Sequence, residues 1–345
     1  MSESRAFITG LAGPRLGENE AAFLRAAEPW GLILFRRNCE SADQIHALVD
    51  ESRSVLGWEA PVLIDQEGGR VQRLSPPGWP AYPPGRVFGD LGRRDMEAGL
   101  EACRLATRLI ASDLAALGVD VDCLPVLDVP VAGAHDVIGD RAYGEDPETV
   151  AAYGRAAMDG LLAGGVLPVM KHIPGHGRAG ADSHLALPVV DTDPETLAAT
   201  DFAPFAALTD CPFAMTAHVV YTALDPDRPA TTSSTVIQEI IRGQIGYDGC
   251  LMSDDLSMQA LSGSLAGRAE AAIAAGCDLN LHCNGRLSEM DAVADRTPVL
   301  AGQALERCGR ALALRRTPDD FDVADARRHL VSLLAPVWSA PEPAS

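Results

Sequence analysis

Short apolar runs punctuate the chain, each stopping at a polar residue or a glycine-rich stretch, with alanine-rich segments between them. The runs are residues 32–35 (LILF), 62–65 (VLID), 119–124 (VDVDCL), 166–171 (VLPVMK), 213–217 (FAMTA), 250–254 (CLMSD) and 279–282 (LNLH). Apolar runs this short, bounded by turn formers, read as buried strands. Residues 100–117, 150–162 and 266–275 repeat apolar side chains three and four apart, the spacing of one helix face. Strands alternating with helices predict a parallel sheet. Seven strands over about 250 residues fit an α/β fold of the closed TIM-type (β/α)8 barrel better than an open, doubly wound sheet. Residues 5–11 (RAFITGL) supply the eighth strand or form a flap, so an irregular or incomplete strand is expected. No composition shift divides the chain. A single barrel domain over residues 1–338 is predicted, with 339–345 (SAPEPAS) as a disordered tail.

Polar residues recur where the apolar runs stop: Asp65, Asp128, Lys171 with His172, His218, Asp254 with Asp255, and His282 with Asn284. In a barrel all C-terminal strand ends open on one rim, where active sites are built. One such residue is an ordinary cap or turn. This many titratable side chains in equivalent positions predict convergence on one pocket.

Charge and cysteine usage narrow the partners. Asp and Glu number 48 against 28 Lys and Arg, a formal net charge of −20. That field repels nucleic acid and anionic membrane, so neither is an expected partner. No run approaches the ~20 apolar residues of a membrane span. The start, MSESRAFITG, lacks the basic and apolar regions of a secretory signal. The eight cysteines form no C-x-x-C pair and several lie in apolar stretches, as reduced thiols packed like small apolar residues do. A cytoplasmic location follows, with a monomer as the simplest assembly.

Four segments carry candidate chemistry. In CLMSDD (250–255) a strand runs into adjacent carboxylates, which point opposite ways. One of them can attack an anomeric carbon, while the other caps a helix starting near Leu256. In VMKHIPGHGRAGADSHL (169–185) Asp182 stands two residues before His184, close enough to fix the imidazole for general acid/base work; the alternative is a turn cap beside a surface histidine. In DQEGGRVQR (65–73) Asp65 with Arg70 and Arg73 suits sugar hydroxyls, or forms a surface ion pair. VIGDRAY (137–143) places Arg141 in a loop. Two other readings are open. Gly175, Gly177 and Gly180 fit G-x-G-x-x-G, but no helical period follows to meet a dinucleotide phosphate. His172, His176, Asp182 and His184 are candidate zinc ligands, although the proline and glycines between the first two histidines remove the helix that H-x-x-x-H spacing needs.

Taken together, IDQEGGRVQR (64–73), PVLDV (125–129), IGDRAYGEDP (138–147), KHIPGHGRAGADSH (171–184), MTAHVVY (215–221) and SDDLSM (253–258) resemble glycoside hydrolase family 3, in its single-domain bacterial β-N-acetylglucosaminidase branch. Ile173 stands where phenylalanine is commoner, and His282 precedes the Cys-Asn pair where an apolar residue is usual. The resemblance implies Asp254 as nucleophile and His184 as acid/base oriented by Asp182. It implies Asp65, Arg73, Arg141, Lys171 and His172 as the residues that hold the sugar. Many relatives carry a second domain that supplies the acid/base; here the His184 loop is expected to do so. The implied reaction is retaining hydrolysis of a terminal β-linked N-acetylglucosamine, with no metal or organic cofactor. The implied substrate is a muropeptide fragment carrying N-acetylglucosamine on anhydro-N-acetylmuramic acid, in peptidoglycan recycling. A β-glucosidase of the same superfamily, a metal-dependent barrel hydrolase and an inactive sugar-binding protein are the competing readings.

Overall fold

The apolar runs become eight parallel strands that close on themselves. A computed structural model describes residues 4–183 and 186–340. Its barrel strands are β1 (Arg5–Gly10), β2 (Pro29–Leu34), β3 (Val62–Ile64), β4 (Val121–Asp122), β5 (Leu167–Ile173), β6 (Phe213–Thr216), β7 (Cys250–Asp255) and β8 (Leu279–His282). Each pairs in parallel with its neighbours in chain order, and β8 returns to β1. Residues 5–11 therefore supply a full barrel strand rather than a flap. The irregularity falls instead at β4, where only two residues are regular strand and Val126 then rejoins β5 through a bridge to Lys171.

Side chains alternate between two cores, as the two-residue period of a strand requires. Ile8, Ile33, Leu63, Val121, Val169, Met215, Met252 and Leu281 fill the barrel interior. Phe7, Leu32, Leu34, Val62, Ile64, Met170 and Leu251 pack outward under the helices. The helix Gly302–Ala313 adds Cys308 and Ala311 to the interior cluster, with Cys308 Sγ 3.4 Å from Cys250 Sγ at the start of β7. The N-terminal end of the barrel is thus closed by side chains, and the opposite rim carries the polar strand ends.

The outer helices begin where capping chemistry permits. Met96–Ala115 starts after Asp95, whose carboxylate accepts from Ala98 N, and Pro147–Ala163 after Asp146, which accepts from Thr149 N with Pro147 in the first turn. The helix after β7 departs from expectation. It begins at Leu265 under a Ser264 cap, not at Leu256. Asp255 caps a tight turn instead, accepting from Ser257 N at 3.0 Å and Ser257 Oγ at 2.6 Å. No helix among the described residues is long and apolar enough to cross a membrane.

Candidate active site

The chain leaving β3 builds one wall of the rim cavity. Asp65 ends the strand, and Gln66–Gly68 pairs with Val71–Gln72 in a short antiparallel hairpin. Gly68 turns it at φ +95°, where a Cβ would lie 2.3 Å from Pro83 O, so only glycine fits. Gln66 ties the hairpin together, its Oε1 accepting from Arg73 N and Leu74 N at 3.0 Å each. Two residues apart on extended chain, Asp65 and Glu67 share a face. Lys171, from β5, bridges them: its Nζ lies 2.9 Å from Asp65 Oδ1 and 2.6 Å from Glu67 Oε1. Arg73 Nη2 reaches Asp65 Oδ2 at 2.7 Å. Arg141 grips Glu67 with Nε and Nη2, both at 2.8 Å.

This five-member network is buried, not a surface pair; the Lys171 side chain is 2% exposed and that of Glu67 4%. Burial works against both carboxylates, but Lys171 and Arg73 hold Asp65 well below the usual range. Arg141 and Lys171 likewise hold Glu67 at about 2. Burial opposes the charge on Lys171 too, yet Asp65 and Glu67 raise its pKa. Three cations and two anions thus stay charged together, and Arg73 Nε, buried, has no hydrogen-bond partner among the described residues. Arg70, also flagged by the sequence, is elsewhere: it pairs with Asp140 at 3.0 Å and donates to the carbonyls of Asp136, Val137 and Ile138, stitching two loops.

Next on the rim, His172 is fixed by Asp128. Its Nδ1 lies 2.7 Å from Asp128 Oδ2, while Asp128 Oδ1 accepts from the backbone of His172 at 3.2 Å and of His176 at 2.6 Å. Burial opposes ionisation of Asp128, but His172 and His176 bring it to about 2. A carboxylate on Nδ1 leaves Nε2 of His172 as the atom free to face a ligand.

At β7 the two adjacent carboxylates part company. Asp255 is committed to Ser257 and also accepts from Cys283 N at 3.2 Å. The backbone of the pair is held by a ring of hydrogen bonds. Asp254 N donates to Thr216 Oγ1 at 3.3 Å; Thr216 Oγ1 lies 2.8 Å from Thr231 Oγ1; Thr231 Oγ1 lies 2.7 Å from His218 Nδ1; and His218 Nε2 lies 3.0 Å from Asp255 O. Since a carbonyl only accepts, His218 donates from Nε2 and accepts at Nδ1, which gives every hydroxyl in the ring a consistent direction. Burial lowers the His218 pKa, in keeping with a neutral ring.

Asp65, Arg73, Arg141, Lys171, His172 and Asp254 line one cavity of about 390 Å³, with Glu67, His176 and Ser183. Asp182 is half-buried on the loop after β5, beside Ser183. His184 lies outside the described residues. The glycine run of that loop has a packing cause: a Cβ on Gly177 would lie 2.0 Å from Val129 O. No helix begins after it; the next is Pro194–Ala199. The rings of His172 and His176 meet edge to face, 5.7 Å between centres, and no metal-holding cluster of three His, Cys, Asp or Glu occurs among the described residues. Glu67 escaped the sequence reading although its two-residue offset from Asp65 was a usable signal. Ser183 offered none.

Known proteins share this architecture. The profile described as Glycosyl hydrolase family 3 N terminal domain matches residues 10–304. A β-hexosaminidase from Bordetella avium (strain 197N) is 39% identical over 340 residues, 96% of this chain and 90% of that protein. One from Methylococcus capsulatus is 42% identical over 310 residues, covering 87% and 91%. The crystal structure of NagZ from Neisseria gonorrhoeae in complex with N-trifluoroacetyl-D-glucosamine superposes with a TM-score of 0.86 at 32% identity, over 96% of this chain and 98% of that one. With a closed barrel, a charged rim cavity and a family match across most of its length, this chain belongs to glycoside hydrolase family 3 and is a glycoside hydrolase.

Proposed function

We propose that the protein is a retaining exo-β-N-acetylglucosaminidase whose nucleophile is Asp254. The observation that carries this reading is the asymmetry of the cavity: of the two β7 carboxylates that line it, Asp255 is bound to Ser257 and Cys283 N, while Asp254, on a clamped backbone, faces a wall of fixed charges from β5 and the chain leaving β3. That wall suits a sugar, because Asp65, Arg73, Arg141, Lys171 and His172 offer acceptors and donors in fixed positions. The names of the relatives support the amino-sugar class.

In the first step Asp254 attacks the anomeric carbon while His184, oriented by Asp182, protonates the departing oxygen. In the second, neutral His184 takes a proton from water, which opens the glycosyl-enzyme and restores the β configuration. A histidine here avoids like-charge repulsion with Asp254, and Asp182 steadies its imidazolium form. No step requires a metal or organic cofactor. The substrate we propose is N-acetylglucosamine linked to anhydro-N-acetylmuramic acid in recycled cell-wall fragments, met by a monomer in the cytoplasm. Eight free cysteines, all buried except the half-buried Cys39, fit that reducing compartment.

Hydrolysis of a chromogenic β-N-acetylglucosaminide beside the matching β-glucoside, with chelator present throughout, tests the reading. Cleavage of the first alone is the expected result. Preference for the glucoside would overturn the amino-sugar assignment, and loss of activity to the chelator would overturn the metal-free mechanism.

A further inference from the structure

We propose that Ser183 is the midspan anchor of the loop after β5, a positioning residue that restrains its sequence neighbours Asp182 and His184 through His176 and Ala260; this rests on the acid/base reading given above. Both ends of the loop are tied down by other groups. At the near end Tyr221 Oη donates to Gly175 O. Arg178 Nε pairs with Asp201 at 2.6 Å, and His135 N donates to Ala179 O at 2.9 Å. At the far end Val220 N donates to Pro188 O at 3.0 Å and Thr222 N to Val190 O at 3.1 Å, in a two-residue parallel ladder.

Between these ties Gly180 and Leu187 are exposed, yet Ser183 is only 3% exposed. Its Oγ lies 3.1 Å from His176 Nε2, and its carbonyl accepts from Ala260 N at 3.2 Å. The carbonyl of Asp182 accepts from Ala186 N at 2.9 Å. Fixing Ser183 therefore restrains the chain at Asp182 and His184, its two neighbours in sequence. His176 is a rigid post. Its amide is bound to Asp128, the carboxylate that also holds His172, and its Nδ1 is buried without a partner among the described residues. An orphaned buried N–H is rarer than an orphaned acceptor, so Nε2 carries the proton and donates to Ser183. Ala260 belongs to the segment that follows Asp254. Ser183 thereby joins the sugar-binding side of the rim, the acid/base loop and the nucleophile's own loop.

The test compares Ser183→Ala, Ser183→Thr and His184→Ala on two substrates: a β-linked N-acetylglucosamine disaccharide, whose leaving oxygen needs a proton, and the 2,4-dinitrophenyl β-N-acetylglucosaminide, whose leaving group does not. Ser183→Ala is expected to lower kcat/KM on the disaccharide about ten- to a hundredfold and to leave the dinitrophenyl value within about threefold. Azide, which attacks the glycosyl-enzyme without a base, should raise the kcat of Ser183→Ala on the dinitrophenyl substrate, and Ser183→Thr should keep most activity on both. Equal losses on both substrates, or no loss, would overturn the anchor if His184→Ala shows the leaving-group dependence. Absence of that dependence in His184→Ala itself would instead overturn the acid/base reading beneath it.

Discussion

The end of β7 brings Asp254 to the cavity and the loop after β5 brings Ser183 to it, and the two segments are supported differently. Asp254 stands on a backbone closed into a ring by Thr216, Thr231 and His218, all buried. Asp182 stands on a loop tied at its two ends and, between them, through Ser183. The roles proposed for Asp254 and His184 give a reason. A nucleophile attacks one carbon along one line, so misplacement is costly. An acid/base must reach the leaving oxygen and then a water, two positions in succession. A support pinned at one midspan residue serves the second task, and a closed ring the first.

The largest effect is expected at Asp254, the proposed nucleophile. Asp254→Asn is expected to reduce kcat by about a thousandfold or more with the fold intact, whereas Asp255→Asn should act chiefly on stability by loosening the Ser257 turn. Steady-state kinetics beside a thermal melt separate the two. The wall facing Asp254 comes next. Lys171→Met removes the cation that Asp65 and Glu67 share, leaving each buried carboxylate to its arginine alone, and should cost about 3 kcal/mol in denaturant unfolding, with a raised KM. The ring itself is probed by Thr231→Val, which leaves His218 Nδ1 and Thr216 Oγ1 short of a partner. A stability loss of about 1–3 kcal/mol is expected, together with a fall in kcat that exceeds any change in KM. Thr231→Ser should recover most of both.

Acid sharpens the contrast between paired and neutral groups. Burial, with His172 beside it, lowers His176 to about 4, below its unfolded value of about 6.5. The unfolded chain therefore binds the extra proton first, and stability falls as pH drops through that window. Glu67 and Asp128, both held at about 2, contribute stability that is complete above their unfolded values near 4 and is lost as pH falls towards 2. Denaturant midpoints across pH 7 to 2 should show a shallow decline and then a steeper one. The smallest effect expected is that of a chelator, which should leave kcat/KM unchanged.

Much of this was legible from the chain. Seven strands were readable because β/α-barrel strands are buried on both faces and appear as continuous apolar runs, such as LILF and FAMTA. β1 was ambiguous because Arg5 opens it and Gly10 closes it, and closure through β8 is a long-range pairing that no local pattern encodes. Polar strand ends marked Asp65, Lys171, His172 and Asp254 correctly as neighbours across the rim. The partners that fix them were less visible. Glu67 could have been found from its spacing to Asp65. The service of Thr231 to Asp254 depends on a loop folding back onto β6, and that of Ser183 on where Ala260 lies; neither leaves a periodic trace.

As the proposed nucleophile, Asp254 must form a covalent bond to the sugar. Incubation with a 5-fluoro-N-acetylglucosaminyl fluoride, which slows release of the glycosyl-enzyme, followed by peptide mass spectrometry, tests it most directly. One adduct is expected, on Asp254 within the peptide that contains SDD, and none in Asp254→Asn. An adduct on Asp255 or another carboxylate, or continued turnover of the natural substrate by Asp254→Asn, would contradict it.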